Sequence, residues 1–167
     1  MFRKIEDFVE TWKTESESTE KLLRALTDDS LDVSVGEGNR TIGRVAWHIV
    51  QTIPEMGGRT ELNLEGPGEK DPVPASAAEI VQAYHSGAQS LLKQISENWQ
   101  DETFEVEDDM YGMTWKRGMT VAALIKHEVH HRGQLTVLMR QAGLPVSGVY
   151  GPSKEEWDAY NMPVPEI

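Results

Sequence analysis

Apolar residues recur at helical spacing in four long segments, and this constrains the fold more than any other feature. In the first, Ile5, Phe8, Val9, Trp12, Leu22, Leu23 and Leu26 lie on one stripe at i, i+3, i+4 spacing. Glu15 and Thr19 interrupt the middle of that stripe, where apolar residues are expected. The second runs from about Thr41 to Arg59, with Ile42, Val45, Ile49, Ile53 and Met56 as its face. Thr41 suits an N-cap, Pro54 is placed to kink the helix, and Gly57-Gly58 weaken its far end. The third opens on Ser76-Ala77-Ala78-Glu79, the pattern of a capping box, and carries Val81, Tyr84, Ala88, Leu91, Leu92, Ile95 and Trp99. The fourth is read from after Thr120 to Gly143, with Pro145 barring continuation and Val121, Leu124, Leu135, Leu138 and Ala142 as its face.

The connections differ in kind. Residues 28–40 are acidic and loop-like, whereas residues 63–75 are rich in Gly and Pro and read as an extended crossover. Phe104, Val106, Met113 and Trp115 flank a turn at Asp108–Gly112, the pattern of a small hairpin. Ser153-Lys154-Glu155-Glu156 gives a second capping box ahead of a short C-terminal helix carrying Trp157. The expected architecture is therefore all-α, a four-helix bundle in a single domain over residues 1–167.

Composition limits the function classes. With no Cys there is no disulfide, thiolate metal site or cysteine nucleophile, so any metal must take N or O ligands. A formal net charge of -12 argues against binding nucleic acid or an anionic membrane. No apolar run approaches the ~18 residues of a membrane span, and Met1–Val9 has no apolar core of a signal peptide, so a cytoplasmic protein is expected.

Five His are present, at 48, 85, 127, 130 and 131. At about 100° per residue, His131 falls in the middle of the fourth apolar stripe and His127 about 50° to one side. His130 lies about 110° away, towards solvent. Two imidazoles one turn apart and facing inward can present nitrogens to one metal at ~2.0–2.1 Å, or can form a hydrogen-bonded polar core, and periodicity does not separate the two. His127-Glu128-Val129-His130-His131 also matches the H-E-x-x-H pattern of zinc proteases. No His, Cys or Asp follows until Asp158, which disfavours that class. His48 flanks the second apolar face on a polar row with Thr52, Glu55 and Arg59, a pattern that also suits a solvated edge. His85 reads as a helix-edge residue.

Trp47-His48-Ile49, the string His127–Leu135 (HEVHHRGQL) and Val149-Tyr150-Gly151-Pro152-Ser153 resemble the DinB-like family, the group of YfiT-like metalloenzymes. The resemblance spans nearly the whole chain. It implies a four-helix bundle of up-down-down-up order, homodimerisation, and a divalent nickel or zinc ion held by His48, His127 and His131. It also implies thiol-dependent chemistry, as in transferases that use low-molecular-weight bacterial thiols.

Three neutral imidazoles would leave an open coordination position, as catalytic metal sites do. The leading expectation is a metal-dependent thiol S-transferase taking a small thiol and an electrophile. The competing readings are a hydrolase in which the metal activates water, and a non-catalytic dimeric metal-binding stress protein. Glu55 and Glu128 are candidate carboxylates to orient a His or accept a proton, with Glu128 the better phased. Arg59 and Arg132 are candidates to hold an anionic co-substrate, although like Glu55 they read more simply as surface charges.

Overall fold

The computed structural model of the chain describes residues 1–166. Four helices are present: α1 (Ile5–Leu23), α2 (Ile42–Gly58), α3 (Ala77–Asn98) and α4 (Arg117–Gln141). One antiparallel hairpin, β1 (Glu107–Met110) with β2 (Met113–Lys116), precedes α4. The four apolar stripes meet in a single core that includes Phe8, Trp12, Ile42, Ile53, Tyr84, Leu91, Leu124 and Leu135.

Contacts along the chain give the helix directions. The 59–76 connection doubles back along α2: Gly57 packs on Leu64, Gly66 on Pro54, and Gly43 on Val73. On the way, Gln51 Nε2 donates to the Gly68 and Asp71 carbonyls at 2.7 and 3.2 Å, and Trp47 Nε1 donates to the Asp71 carbonyl at 3.1 Å. The chain thus returns to the start of α2 before α3 begins, so α2 and α3 run parallel, with Ile53 beside Gly87 and Gly57 beside Leu91. Trp12 donates to the Ala88 carbonyl while Glu20 meets His85, so α1 is antiparallel to α3. Phe2 lies at Gly118 and Glu15 at Arg132, so α1 and α4 are parallel. The order is up-down-down-up.

Several local expectations change. Thr41 caps α2, its hydroxyl accepting from the Arg44 amide at 3.1 Å. Helix α2 continues through Pro54 to Gly58, with Ile53 and Met56 buried. Ser76 occupies the N-cap of α3 but makes no side-chain cap; the carboxylate of Asp28 accepts from the Ala77 amide at 2.7 Å instead. The start of α4 lies at Arg117, not after Thr120. Strand β2 feeds the helix directly, the Arg117 amide donates to the Val106 carbonyl, and Gly118 and Thr120 are buried, so this first turn belongs to the core. The hairpin reverses at Tyr111 (φ 60°) and Gly112 (φ 79°), a two-residue turn shorter than the predicted one. Phe104 sits before the hairpin in a 3-10 segment, Asp101–Glu105.

The C-terminal helix is a single 3-10 turn, Trp157–Tyr160. Half of its expected capping box forms: Glu156 Oε2 accepts from the Ser153 and Gly148 amides, both at 3.0 Å, while the Ser153 hydroxyl finds no partner. No helix among the described residues is long and apolar enough to cross a membrane.

Candidate metal centre

Helices α2 and α4 are antiparallel neighbours, and this brings His48 against the one-turn pair His127 and His131. The three ring centroids lie 4.4–4.9 Å apart, at 4.9 Å for His48–His127, 4.6 Å for His48–His131 and 4.4 Å for His127–His131. Each ring offers a nitrogen within 4.8 Å of the other two. His131 Nε2 stands 3.1 Å from His127 Nε2, a separation that one ion ~2.0–2.1 Å from each can bridge.

His131 Nδ1 donates to Gln134 Oε1 at 2.8 Å. That bond places the proton on Nδ1 and leaves the Nε2 lone pair directed at its neighbour, the usual support for a metal-binding imidazole. Burial drives the pKa of both His48 and His127 down to about 4, with neighbouring imidazoles of the cluster contributing next. Burial also lowers that of His131, against the opposing effect of its bond to Gln134. All three rings are therefore neutral near pH 7 and have lone pairs to give. His127 Nδ1 is buried and has no hydrogen-bond partner in the protein, so the chain alone does not satisfy this cluster. Three convergent neutral nitrogens with no carboxylate among them could hold a divalent metal ion.

A cleft of about 400 Å³ opens beside His48, lined also by Arg40, Arg44, Gln51, Glu55 and Tyr111. Its far wall is a tied unit. Tyr111 Oη donates to Glu55 Oε2 at 2.7 Å, Arg59 Nε donates to Glu55 Oε1 at 2.9 Å, and the Arg59 guanidinium lies 4.6 Å above the Tyr111 ring. Glu55 thus faces the cleft but orients none of the three histidines.

Glu128 and Arg132 are placed differently from expectation. Glu128 hydrogen-bonds no histidine among the described residues: it is buried between α1, α3 and α4, and its Oε1 accepts from Thr19 at 2.6 Å and Tyr84 at 2.7 Å. Arg132 is no surface charge, being only 2 % exposed. It donates to the Glu15 carbonyl and carboxylate, to the Thr19 hydroxyl and to Tyr150 Oη. Glu15 and Thr19, the two interruptions of the first apolar stripe, are the α1 side of this network. The phase that aims His127 at α2 aims Glu128 and Arg132 at α1, on the opposite flank of the same helix. His130 is exposed, its ring accepting from Gln134 Nε2 at 3.1 Å, and His85 is an edge residue that meets Glu20 at 3.0 Å.

Sequence reasoning missed Gln134, for which the i+3 spacing from His131 was the available signal, and the roles of Arg40, Arg44 and Tyr111. Tyr111 reaches the cleft only because the hairpin folds over the end of α2, 56 residues away along the chain from Glu55.

A profile of the DinB family matches residues 1–164. Uncharacterized protein YrdA of Bacillus subtilis (strain 168) is 40% identical over 167 residues, covering 100% of both chains. A crystallised DinB-like protein from Bacillus cereus ATCC 10987 superimposes with a TM-score of 0.87 at 43% identity, covering 90% of this chain and 100% of that one. The DinB-like protein YjoA of Bacillus subtilis shares the fold with a TM-score of 0.65, at 18% identity over 83% of this chain and 96% of its own. The profile match and the full-length relative together carry one conclusion: this chain belongs to the DinB family.

Proposed function

We propose that this chain is a divalent-metal-dependent enzyme, a thiol S-transferase whose metal, nickel or zinc, is held by His48, His127 and His131. The observation that carries the reading is the convergence of three neutral imidazoles at the edge of an open cleft. A divalent ion bound there would lower the pKa of an incoming thiol towards neutrality. The protein's own part is to keep the imidazoles unprotonated by burial, to fix the His131 tautomer through Gln134, and to leave the His48 side open for substrates. The thiol comes from outside, since the chain has no Cys. In the transfer the thiol would lose its proton to bulk solvent, its sulfur would form a bond to an electrophilic carbon, and the leaving group would depart with the bonding pair. Homodimerisation, on the family resemblance, and a cytoplasmic location, on the sequence reading, belong to the same proposal.

The test is elemental analysis of protein purified without added metal, followed by a panel of thiols and electrophiles. Stoichiometric divalent metal with thiol consumption, both lost in His127→Ala, is the expected result. Metal without turnover would reduce the protein to a metal-binding dimer, and ester cleavage without thiol consumption would favour the hydrolase. Light scattering at micromolar concentration checks the dimer.

A further inference from the structure

Arg40 and Arg44 line the His48 cleft, and neither has a carboxylate partner among the described residues. Arg44 is half-buried, and its one side-chain bond goes to a neutral amide, Gln51 Oε1, at 2.6 Å. Gln51 is itself pinned through Nε2 to the carbonyls of the crossover, so its oxygen is held towards Arg44. Arg40 is exposed and makes no side-chain hydrogen bond among the described residues. Both arginines share the lining of the cleft with His48. Both therefore keep guanidinium donors free to meet an anion in the cleft. Arg24, Arg59, Arg117, Arg132 and Arg140 each meet a carboxylate, whereas exposed Arg3, like Arg40 and Arg44, meets none among the described residues.

The geometry points to an anion subsite in which Arg40 and Arg44 hold a carboxylate of the small-molecule co-substrate beside the triad. Guanidinium forks suit a carboxylate, and the excess negative charge of the whole chain makes a local cationic pair the place where an acidic ligand can be retained. The opposite wall, where Glu55 is already engaged and Glu69 adds a second carboxylate, favours one orientation, with the anionic end at the arginines. The ligand class is a small carboxylated molecule, and in the metal–thiol reading, on which only the reactive end rests, a carboxylated thiol.

Two titrations test it. The full chain, stripped of metal with chelator, is titrated with succinate and with its neutral dimethyl ester by calorimetry at low ionic strength. Succinate should bind and the ester should not. Arg40→Gln, at a residue with no protein partner to lose, should weaken succinate by about tenfold, and Arg44→Gln should add to the loss. Arg140→Gln, outside the cleft, should leave binding unchanged. Cobalt-loaded protein is then titrated with mercaptosuccinate and 2-mercaptoethanol, following the sulfur-to-metal charge-transfer band. Mercaptosuccinate should give the band at lower concentration, and only that advantage should vanish in Arg40→Gln. Equal binding of succinate and ester, or succinate binding indifferent to both substitutions, would overturn the subsite. Arginine-dependent succinate binding with no band from either thiol would uphold the subsite while removing the thiol reading of the metal centre.

Discussion

The side-chain amide of Gln134 accepts from His131 Nδ1 on one side and donates to His130 Nε2 on the other. Among the described residues outside the triad, it alone makes a side-chain hydrogen bond to one of the three rings. Loss of such an outer partner typically lowers metal affinity by about 10–100-fold. Gln134→Ala should therefore weaken the metal by that order in a chelator competition, without displacing His48 or His127. His127→Ala should abolish stoichiometric binding, because only two nitrogens remain. His130→Ala should stay within a few-fold of wild type, since its exposed ring meets His131 only edge-on, with centroids 5.0 Å apart, and hydrogen-bonds Gln134 but none of the three rings. A His130→Ala variant as damaged as Gln134→Ala would mean that the amide is positioned from the solvent side. Helical phase alone separated His127 and His131 from His130, because direction on a regular helix follows from residue number. The same phase made Glu128 look adjacent to the site. It cannot say which neighbouring helix covers which flank, and α1 covers that one.

Between α1, α3 and α4 the bundle encloses a second polar cluster, in which Thr19 and Tyr84 donate to Glu128 while Arg132 reaches Glu15 and Thr19. Glu128 Oε2 lacks a partner, and burial raises the carboxyl pKa to about 7 despite both hydrogen bonds. Tyr84→Phe removes one of only two side-chain donors to this carboxyl. It should cost about 1–3 kcal/mol in urea unfolding, the penalty for under-satisfying a buried acceptor. The helix glycines make a contrasting pair. A Cβ at Gly118 would stand 2.5 Å from the Phe2 carbonyl oxygen and 3.2 Å from Phe104 Cβ, whereas one at Gly133 meets nothing within 4 Å. Gly118→Ala should thus destabilise by about 1–3 kcal/mol. Gly133→Ala, in the same helix, should stabilise by up to ~1 kcal/mol. At this scale the sequence was informative about where helices lie and less so about how they begin. The α3 cap comes from Asp28, far away along the chain, and the first turn of α4 is held by Phe2 and the hairpin, contacts that no local window contains.

For the whole molecule, the crossover makes α2 parallel to α3 and leaves α2 antiparallel to α4, which is what sets His48 opposite the His127–His131 pair. Gly and Pro content marked the crossover in the sequence, but its path back along α2 depends on Gln51 and Trp47 gripping its carbonyls. The assembled cluster predicts how stability depends on pH. His48 and His127 have folded-state pKa values near 4, and His131 is also lowered, against ~6.5 in an unfolded chain. Below about pH 6.5 the unfolded chain takes up protons that the folded chain refuses, so the stability present above that pH is lost as pH falls towards 4. Glu128 acts in the opposite sense. Its raised pKa lets the folded chain gain a proton near pH 7 that the unfolded chain binds only near 4.5, so it adds stability on acidification across much of the same window. Three lowered imidazoles against one raised carboxyl leave a net loss on the acid side. Bound metal should steepen it, because protons then compete with the ion for the same nitrogens. Thermal melts from about pH 8 to 5, with and without chelator, measure both contributions. Wild type should lose its metal-dependent increment below about pH 6.5, and His127→Ala should show no such increment at any pH. Glu128→Gln should make the metal-free acid loss steeper, because the opposing proton uptake is gone. Were Glu128→Gln to flatten it instead, the buried carboxyl would be ionised in the folded chain, and the cluster around Arg132 would be a charged one.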